Sequence, residues 1–87
     1  MMQKLIAEFL GTALLVYVIL AIGEPLAIGA ALAVGILLFG RFSGGHYNPA
    51  VSAIMASKGA ISHMDLGLYV LAQLLGGMLA YQIHVRF

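Results

Sequence analysis

Three long apolar stretches dominate this chain, and their length limits the possible folds more than any other feature. They cover residues 4–22, 26–42 and 66–85. Each is close to the roughly 20 apolar residues that a helix needs to cross a hydrocarbon core about 30 Å thick. Only 8% of the residues are charged and the mean hydropathy is +1.09, so a soluble domain of this size would leave too much apolar surface in water. The sequence therefore predicts an all-α, multi-pass integral membrane protein with three transmembrane helices.

The first apolar stretch begins beside Lys4, as a secretory signal peptide would. Glu8 interrupts the stretch, however, and the apolar run continues for about a full membrane span, which is longer than the apolar region of a signal peptide. We therefore expect residues 4–22 to form a membrane helix.

Small residues recur at four-residue spacing in all three stretches. This spacing puts them on one face of a helix, where the backbone of a neighbouring helix can approach closely. The general enrichment of small residues in membrane helices is a less specific explanation of the same pattern. Both explanations predict tightly packed helices. The residues are Ala7, Gly11, Ala31, Gly35, Ala72, Gly76 and Ala80.

A shorter apolar segment, residues 49–57, lies between the second and third stretches. As a helix it would span about 14 Å, roughly half of the hydrocarbon thickness. It is too short to cross the membrane and too apolar to lie in water. Ser43–Tyr47, which precedes it, is polar and rich in glycine. The pattern predicts a re-entrant half-helix with an extended lead-in, whose backbone lines a wet cavity.

The triplet Asn48-Pro49-Ala50 explains how such a half-helix begins. Asn48 is a favoured N-cap residue, and Pro49 fits the first helical position because its missing N–H costs nothing there. With its oxygen held by the cap, the Asn48 amide NH₂ faces the lumen as a donor, and the helix dipole adds positive potential that opposes cations. This arrangement matches a known type of water-selective pore. The lead-in supplies carbonyl acceptors at Gly44, Gly45 and His46.

The same motifs resemble those of the aquaporin and glycerol-facilitator family, also called major intrinsic proteins. Ala7–Thr12 resembles the first-helix motif of that family, Ser43–Val51 its first pore loop, and Tyr69–Gly77 its third-helix motif. The resemblance covers residues 1–87 as a single half-repeat, half of the aquaporin inverted-repeat fold. It implies a passive channel for water and for glycerol or other small neutral solutes, with Asn48-Pro49-Ala50 in the pore.

Members of that family carry two inverted repeats whose half-helices meet at the membrane midplane, and this chain holds one. We therefore expect a second, inverted copy of the chain to complete the pore as an antiparallel homodimer, and the tetramers of the family would imply four such dimers. Two alternatives stay open. In the first, the partner is a separate chain that corresponds to the second repeat. In the second, this chain is a non-conducting truncated product or an assembly factor.

The selectivity filter implied by the resemblance is uncharged. Family members usually carry an arginine after the triplet of the second repeat, and Val51 stands at that place here. Spacing from Asn48 puts the other filter positions at Ile28, Ile36 and Gly45. We expect a wider filter that admits glycerol.

Three polar residues are predicted to brace the pore loop. Glu8 is an acid within a membrane span, and such residues are functional candidates by default. We expect its carboxylate to accept hydrogen bonds from loop amides, with Gln73 and His46 as further braces. A pH gate is the alternative role for His46. The chain has no cysteine, catalytic set or metal-ligand cluster, and its net charge of +1 gives no sign of nucleic-acid binding. We predict neither enzymatic activity nor a cofactor.

The predicted orientation of the chain in the membrane depends on its four basic residues. Lys4, Arg41 and Lys58 lie on one predicted side and Arg86 on the other. This excess predicts a cytoplasmic N-terminus if the chain takes one orientation. A chain that inserts in both orientations should show little bias, so dual topology also stays open.

Overall fold

Four helices make up the chain in a computed structural model that describes residues 1–87. They are α1 (Met2–Ala21), α2 (Pro25–Ser43), α3 (Pro49–Ser57) and α4 (His63–Arg86). By length and composition, α1, α2 and α4 can each cross a membrane, whereas α3 has only nine residues. The predicted class, an all-α protein with three long apolar helices and one short helix, is confirmed.

Local chemistry sets the ends of α2. The Glu24 side chain accepts hydrogen bonds from the amides of Leu26 and Ala27, both at 2.9 Å, and Pro25 occupies the first turn. These contacts satisfy amides that have no acceptor within the helix. At the other end, Gly44 takes a left-handed conformation with φ 92°, which turns the chain out of the helix.

The buried interior consists mainly of small and polar side chains. Helix α1 packs against both α4 and α2, and α3 packs against α4. Every small residue of the four-residue pattern is buried. These residues are Ala7, Gly11, Ala31, Gly35, Ala72, Gly76 and Ala80.

The small residues serve two different contacts. A Cβ added at Gly76 would lie 2.3 Å from the Phe9 carbonyl oxygen, so α4 and α1 touch at their backbones, as the spacing predicted. At Gly11 the neighbour is a side chain instead, since an added Cβ would lie 2.0 Å from Cε1 of Tyr47. Gly35 faces the other edge of the same ring. In α1 and α2 the pattern therefore makes room for the loop before α3, which the sequence did not predict.

Most of the apolar surface faces outward. Only 16 of the 87 residues are buried, and large side chains such as Leu26 and Leu37 are each 81% exposed. The longest dimension is 38 Å, which is close to the thickness of a bilayer with its interfaces. Lipid or another protein chain must cover this surface, because water would not tolerate an apolar patch of this extent.

The first turn of α3 lies beside the middle of α4. The Ser52 hydroxyl accepts a hydrogen bond from Gln73, the eleventh of the 24 residues of α4. Pro49 lies near Gln73 and Leu74. Because α3 accompanies only the N-terminal half of α4, the half from Leu74 to Arg86 has no half-helix beside it.

Replacing Gly76 by alanine should separate α1 from α4, because the added Cβ has no room beside Phe9. We expect the free energy of unfolding to fall by about 1–3 kcal/mol, the usual cost of overpacking. Titration with sodium dodecyl sulfate, followed by circular dichroism, measures it. Gly67→Ala is the matched control, since nothing lies within 4 Å of a Cβ there. Equal stability of the two variants would contradict the close crossing.

Candidate functional site

The Glu8 carboxylate is the centre of the polar network beside α3. Its Oε2 accepts hydrogen bonds from the Ser43 hydroxyl at 2.6 Å and the His46 amide at 3.0 Å. Its Oε1 accepts from the Tyr47 amide at 2.8 Å and from Nε2 of Gln73 at 2.9 Å. Glu8 is 0% exposed, so these four donors replace the water that a carboxylate otherwise requires. One side chain thereby joins α1, the end of α2, the loop and α4.

The Tyr47 side chain anchors the loop from the other side. Its ring lies between Gly11 and Gly35, and its hydroxyl donates to the Gly35 carbonyl at 2.6 Å. Tyr47 also has φ 56°, a left-handed conformation that is costly for a residue with a large side chain. The buried ring and its two hydrogen bonds hold the backbone in this conformation.

The lead-in to α3 is not simply extended, contrary to the sequence-based expectation. Gly44 and Gly45 have φ values of 92° and 67°, and Tyr47 is left-handed too. Two glycines allow consecutive positive φ values without a Cβ clash. The loop can therefore turn sharply after Ser43 and direct two successive amides, at His46 and Tyr47, toward the same carboxylate.

A second set of hydrogen bonds links α4 to α3 and the loop. Nε2 of Gln73 donates to Glu8 and to the Ser52 hydroxyl, the latter at 2.9 Å, and the Ser52 oxygen lies 2.7 Å from Nδ1 of His46. The Ser52 hydroxyl therefore accepts from Gln73 and also pairs with Nδ1 of His46, which its one hydrogen and two lone pairs allow. The His46 ring packs against that of Tyr69, with centroids 5.0 Å apart.

Three residues of this network were not singled out from the sequence. Ser43 donates to Glu8, accepts from the Gly45 amide and receives the Tyr69 hydroxyl at its carbonyl. Ser52 and Tyr47 join the network as described above. The sequence carries only weak signals for these residues. Ser43 precedes two glycines, Ser52 lies one turn into the half-helix, and the Tyr47 ring packs against glycines of two other helices.

The start of α3 has the geometry of a capped helix. Oδ1 of Asn48 accepts a hydrogen bond from the Ala50 amide at 2.8 Å, and Pro49 occupies the first helical position. Asn48, Pro49 and Ala50 are all exposed on the surface of the single chain. Nδ2 of Asn48 has no partner within the chain, so both of its hydrogens are free to donate.

The predicted filter positions are only partly brought together. A Cβ added at Gly45 would lie 3.1 Å from Cγ1 of Ile36, so these two residues are neighbours. Ile28 lies two turns earlier on α2, roughly 12 Å along the helix axis. Val51 lines a separate surface depression with Ile54. A single chain does not assemble these four positions into one constriction.

The sequence of this chain is similar to those of known membrane proteins. The family model described as Major intrinsic protein matches residues 19–86. The chain is 42% identical to the glycerol uptake facilitator protein-like 6 of Lactiplantibacillus plantarum, over 91% of this chain and 41% of that protein. It is 34% identical to the aquaglyceroporin AqpS of Rhizobium meliloti, over 87% and 40% respectively. It is also 35% identical to aquaporin Z of Photorhabdus laumondii, over 92% and 41%.

The chain thus spans about two fifths of the length of the curated relatives that it matches. No solved structure gives a significant match.

Replacing Glu8 by glutamine should loosen the loop while keeping the size of the side chain. One acceptor oxygen becomes a donor group and then faces two donors, which leaves buried amides unpaired. We expect amide hydrogen exchange at His46 and Tyr47 to accelerate by roughly tenfold or more. Exchange in nanodiscs, followed by mass spectrometry, measures it.

The control for this change is Glu24→Gln, which alters an exposed carboxylate that also accepts from two amides. In Glu24→Gln, amide hydrogen exchange should change only near Leu26. Unchanged exchange at His46 and Tyr47 in Glu8→Gln would show that the carboxylate does not hold the loop.

Proposed function

This chain belongs to the major intrinsic protein family, and we propose that it forms one half of a passive transmembrane channel for water and small neutral solutes. It is an integral membrane protein with three helices long enough to span a bilayer. The observation that carries the proposal is the buried network around Glu8, which holds the start of α3 beside the middle of α4. Irregular backbone at such a depth is tolerated only where protein or a wet cavity satisfies it.

The proposed permeation path uses donors at the start of α3 and acceptors along the loop. Nδ2 of Asn48 donates to the oxygen of a passing water or alcohol, while Oδ1 stays occupied by the Ala50 amide. The carbonyl groups of Gly44, Gly45 and His46 accept hydrogens along the approach. The positive end of the α3 dipole disfavours cations at the same point. A neutral molecule with donor and acceptor groups can exchange partners along this path.

A second half-helix has to complete the path, because α3 spans about 14 Å, half of the hydrocarbon core. We propose that a second copy of this chain supplies it, inserted in the opposite orientation. Each copy then contributes one Asn48 near the midplane. Four such dimers would correspond to the tetramers of the family, by analogy alone.

A hetero-oligomeric channel is the second candidate, and one observation favours it. Lys4, Arg41 and Lys58 lie on one side of the chain and Arg86 on the other, a bias that favours a single orientation with a cytoplasmic N-terminus. A chain fixed in one orientation needs a separate second-repeat partner. Such a partner would supply the arginine that Val51 replaces.

Water flux through liposomes that contain only this chain tests the homomeric pore. We expect shrinkage in stopped-flow light scattering to be several times faster than in bare liposomes, and Asn48→Asp to abolish the difference. Aspartate still caps the helix, but it removes the NH₂ donors and adds a charge in the path. Gln82→Glu makes the same amide-to-carboxylate change at an exposed site on α4 and should leave the flux unchanged.

Flux at the bare-lipid level would rule out the homomeric channel and leave the hetero-oligomer or a non-conducting chain. Orientation is read in the same liposomes from Phe87→Cys, the only cysteine in that variant. Impermeant maleimide outside the vesicles should label about half of the chains if copies insert in both directions. Labelling of all or none would contradict inverted pairing.

Glycerol permeability tests the proposed filter. We expect the wild-type chain to pass glycerol, because Ile28, Ile36, Gly45 and Val51 carry no charge. Val51→Arg should lower the ratio of glycerol to water permeability by roughly tenfold, since a long charged side chain narrows the pore. Val51→Met is the control of similar length without charge. Low glycerol permeability in a wild-type sample that conducts water would contradict the wide filter.

A further inference from the structure

A groove lies between the beginning of α1 and the end of α2, on the outer surface of the chain. Its volume is about 270 Å³. We call it the α1–α2 groove. No residue of the loop before α3 lines it, so it is separate from the site described above. Its lining residues are Gln3, Ile6, Ala7, Leu10, Phe39 and Phe42.

The polarity of the α1–α2 groove changes along its length. Gln3 is the second residue of α1 and Phe42 is the last but one of α2. Because both helices are long enough to span a bilayer, these two ends lie at the membrane interface. Leu10 lies two turns deeper, roughly 10 Å along the axis of α1. The groove therefore has one polar end at the interface, and its apolar remainder extends into the hydrocarbon core.

Arg41 adds a positive charge at the polar end of the groove. Its guanidinium carbon lies 4.7 Å from the centroid of the Phe42 ring, which is part of the groove wall. This cation–π contact holds the guanidinium over the ring face and leaves its N–H groups free to donate. Lys4 follows Gln3 on α1 and is exposed, so a second cation lies close to the same end.

The chain also shows how its other arginine is satisfied. Arg86 donates to two oxygens of Gln82, which lies one turn earlier on α4, and the distance to the carbonyl oxygen is 3.0 Å. Arg41 has no such acceptor, since the Phe42 ring is the group that its guanidinium contacts. The N–H donors of Arg41 are therefore available to a group from outside the chain.

The three acidic residues of the chain are not placed to pair with Arg41. Glu8 is fully buried and accepts from four donors, and Glu24 caps the opposite end of α2. Asp65 belongs to α4, which does not pack against α2. An anion that neutralises Arg41 must consequently come from another molecule.

The combination of an interfacial cation and an apolar groove matches an anionic phospholipid. A phosphate diester accepts two parallel hydrogen bonds from a guanidinium, and the Gln3 amide can donate to a further oxygen. An acyl chain attached to that headgroup would follow the apolar walls toward Leu10. A helix of another protein is too wide for this space, because one turn about 10 Å across and 5.4 Å long occupies roughly 400 Å³.

We propose that the α1–α2 groove binds one anionic phospholipid, with its phosphate on Arg41 and Gln3 and one acyl chain along the apolar part of the groove. The lipid comes from the leaflet that contains the N-terminal end of α1. The site goes beyond the proposed channel function and does not depend on it, because neither α3 nor its loop takes part.

Quenching of a single tryptophan by brominated lipids measures this binding, since the chain has no tryptophan of its own. Phe39→Trp puts the reporter in the groove, and Leu37→Trp puts it on a part of α2 that is 81% exposed and outside the groove. Vesicles contain phosphatidylcholine and phosphatidylglycerol with identical acyl chains, and either lipid is dibrominated in turn. We expect phosphatidylglycerol to bind roughly fivefold more tightly than phosphatidylcholine at Phe39→Trp, and equally at Leu37→Trp.

Charge variants in the Phe39→Trp background assign the preference to Arg41. Arg41→Gln should lower the ratio of the two affinities to about 1. Arg41→Lys keeps the charge but loses the paired hydrogen bonds, and it should give an intermediate ratio. Lys58→Gln removes one charge at the end of α3, on the same side of the chain but outside the groove, and should leave the ratio unchanged.

Native mass spectrometry provides a second measurement that needs no tryptophan. The wild-type chain should retain one phosphatidylglycerol at lipid concentrations where Arg41→Gln retains none. Circular dichroism checks that each variant stays helical, and the exposed position of Arg41 makes its replacement compatible with folding.

A ratio near 1 in Phe39→Trp would overturn the lipid site, as would a ratio that survives Arg41→Gln. Equal preferences at Phe39→Trp and Leu37→Trp, or equal losses in Arg41→Gln and Lys58→Gln, would show a general attraction to the basic surface and would also overturn it. Weak quenching by both lipids at Phe39→Trp would show that protein covers the groove instead. Both leaflets contain the same lipids, so the result is independent of the orientation of the chain and of whether it conducts water.

Discussion

The carboxylate of Glu8 is the interaction on which the rest of the structure depends. A loop without regular secondary structure enters the interior of a membrane protein only if its backbone amides find acceptors there. Glu8 accepts from two consecutive loop amides and also from Ser43 and Gln73. An acid that would be expensive in a bare membrane span is therefore stabilised by the same groups that it stabilises. Removal of the carboxylate leaves four donors unpaired in three parts of the chain.

The small residues around the loop follow from that requirement. Because the loop must reach Glu8 on α1, the helices must leave room for it, and the largest group inserted is the Tyr47 ring. Gly11 and Gly35 provide that room, one on each side of the ring. Gly76 has the separate task of letting α4 approach α1, which brings Gln73 within reach of Glu8. Glycine at these positions is a condition for the hydrogen bonds of the site as much as for helix packing.

The general fold was predictable from the sequence because the membrane restricts the choices. Apolar length alone separates three spanning helices from one short helix, and Asn48-Pro49 marks where the short helix begins. An acid inside a span also indicates hydrogen-bond partners nearby, and Glu8 has four of them. The shape of the loop was not predictable in this way. The left-handed Tyr47 and the roles of Ser43 and Ser52 depend on contacts between residues far apart in sequence, and hydroxyl groups bond in many local ways that leave no periodic pattern.

Symmetry bears on how the proposed pore would exclude ions. Two identical copies cannot place an arginine at one mouth only, and neither copy has one after its Asn-Pro-Ala triplet. The proposed inverted pairing would instead direct two α3 N-termini toward the same midplane, so that the positive ends of both dipoles would add there. Each N-terminus also has an Asn48 side chain whose NH₂ group is free to donate, because its oxygen accepts from the Ala50 amide of the same chain. In such a pairing the barrier to cations would arise from backbone dipoles at the centre, while uncharged side chains such as Ile36 and Val51 would set the size of the passing solute separately. A channel of this design can relax its solute filter without losing its barrier to cations.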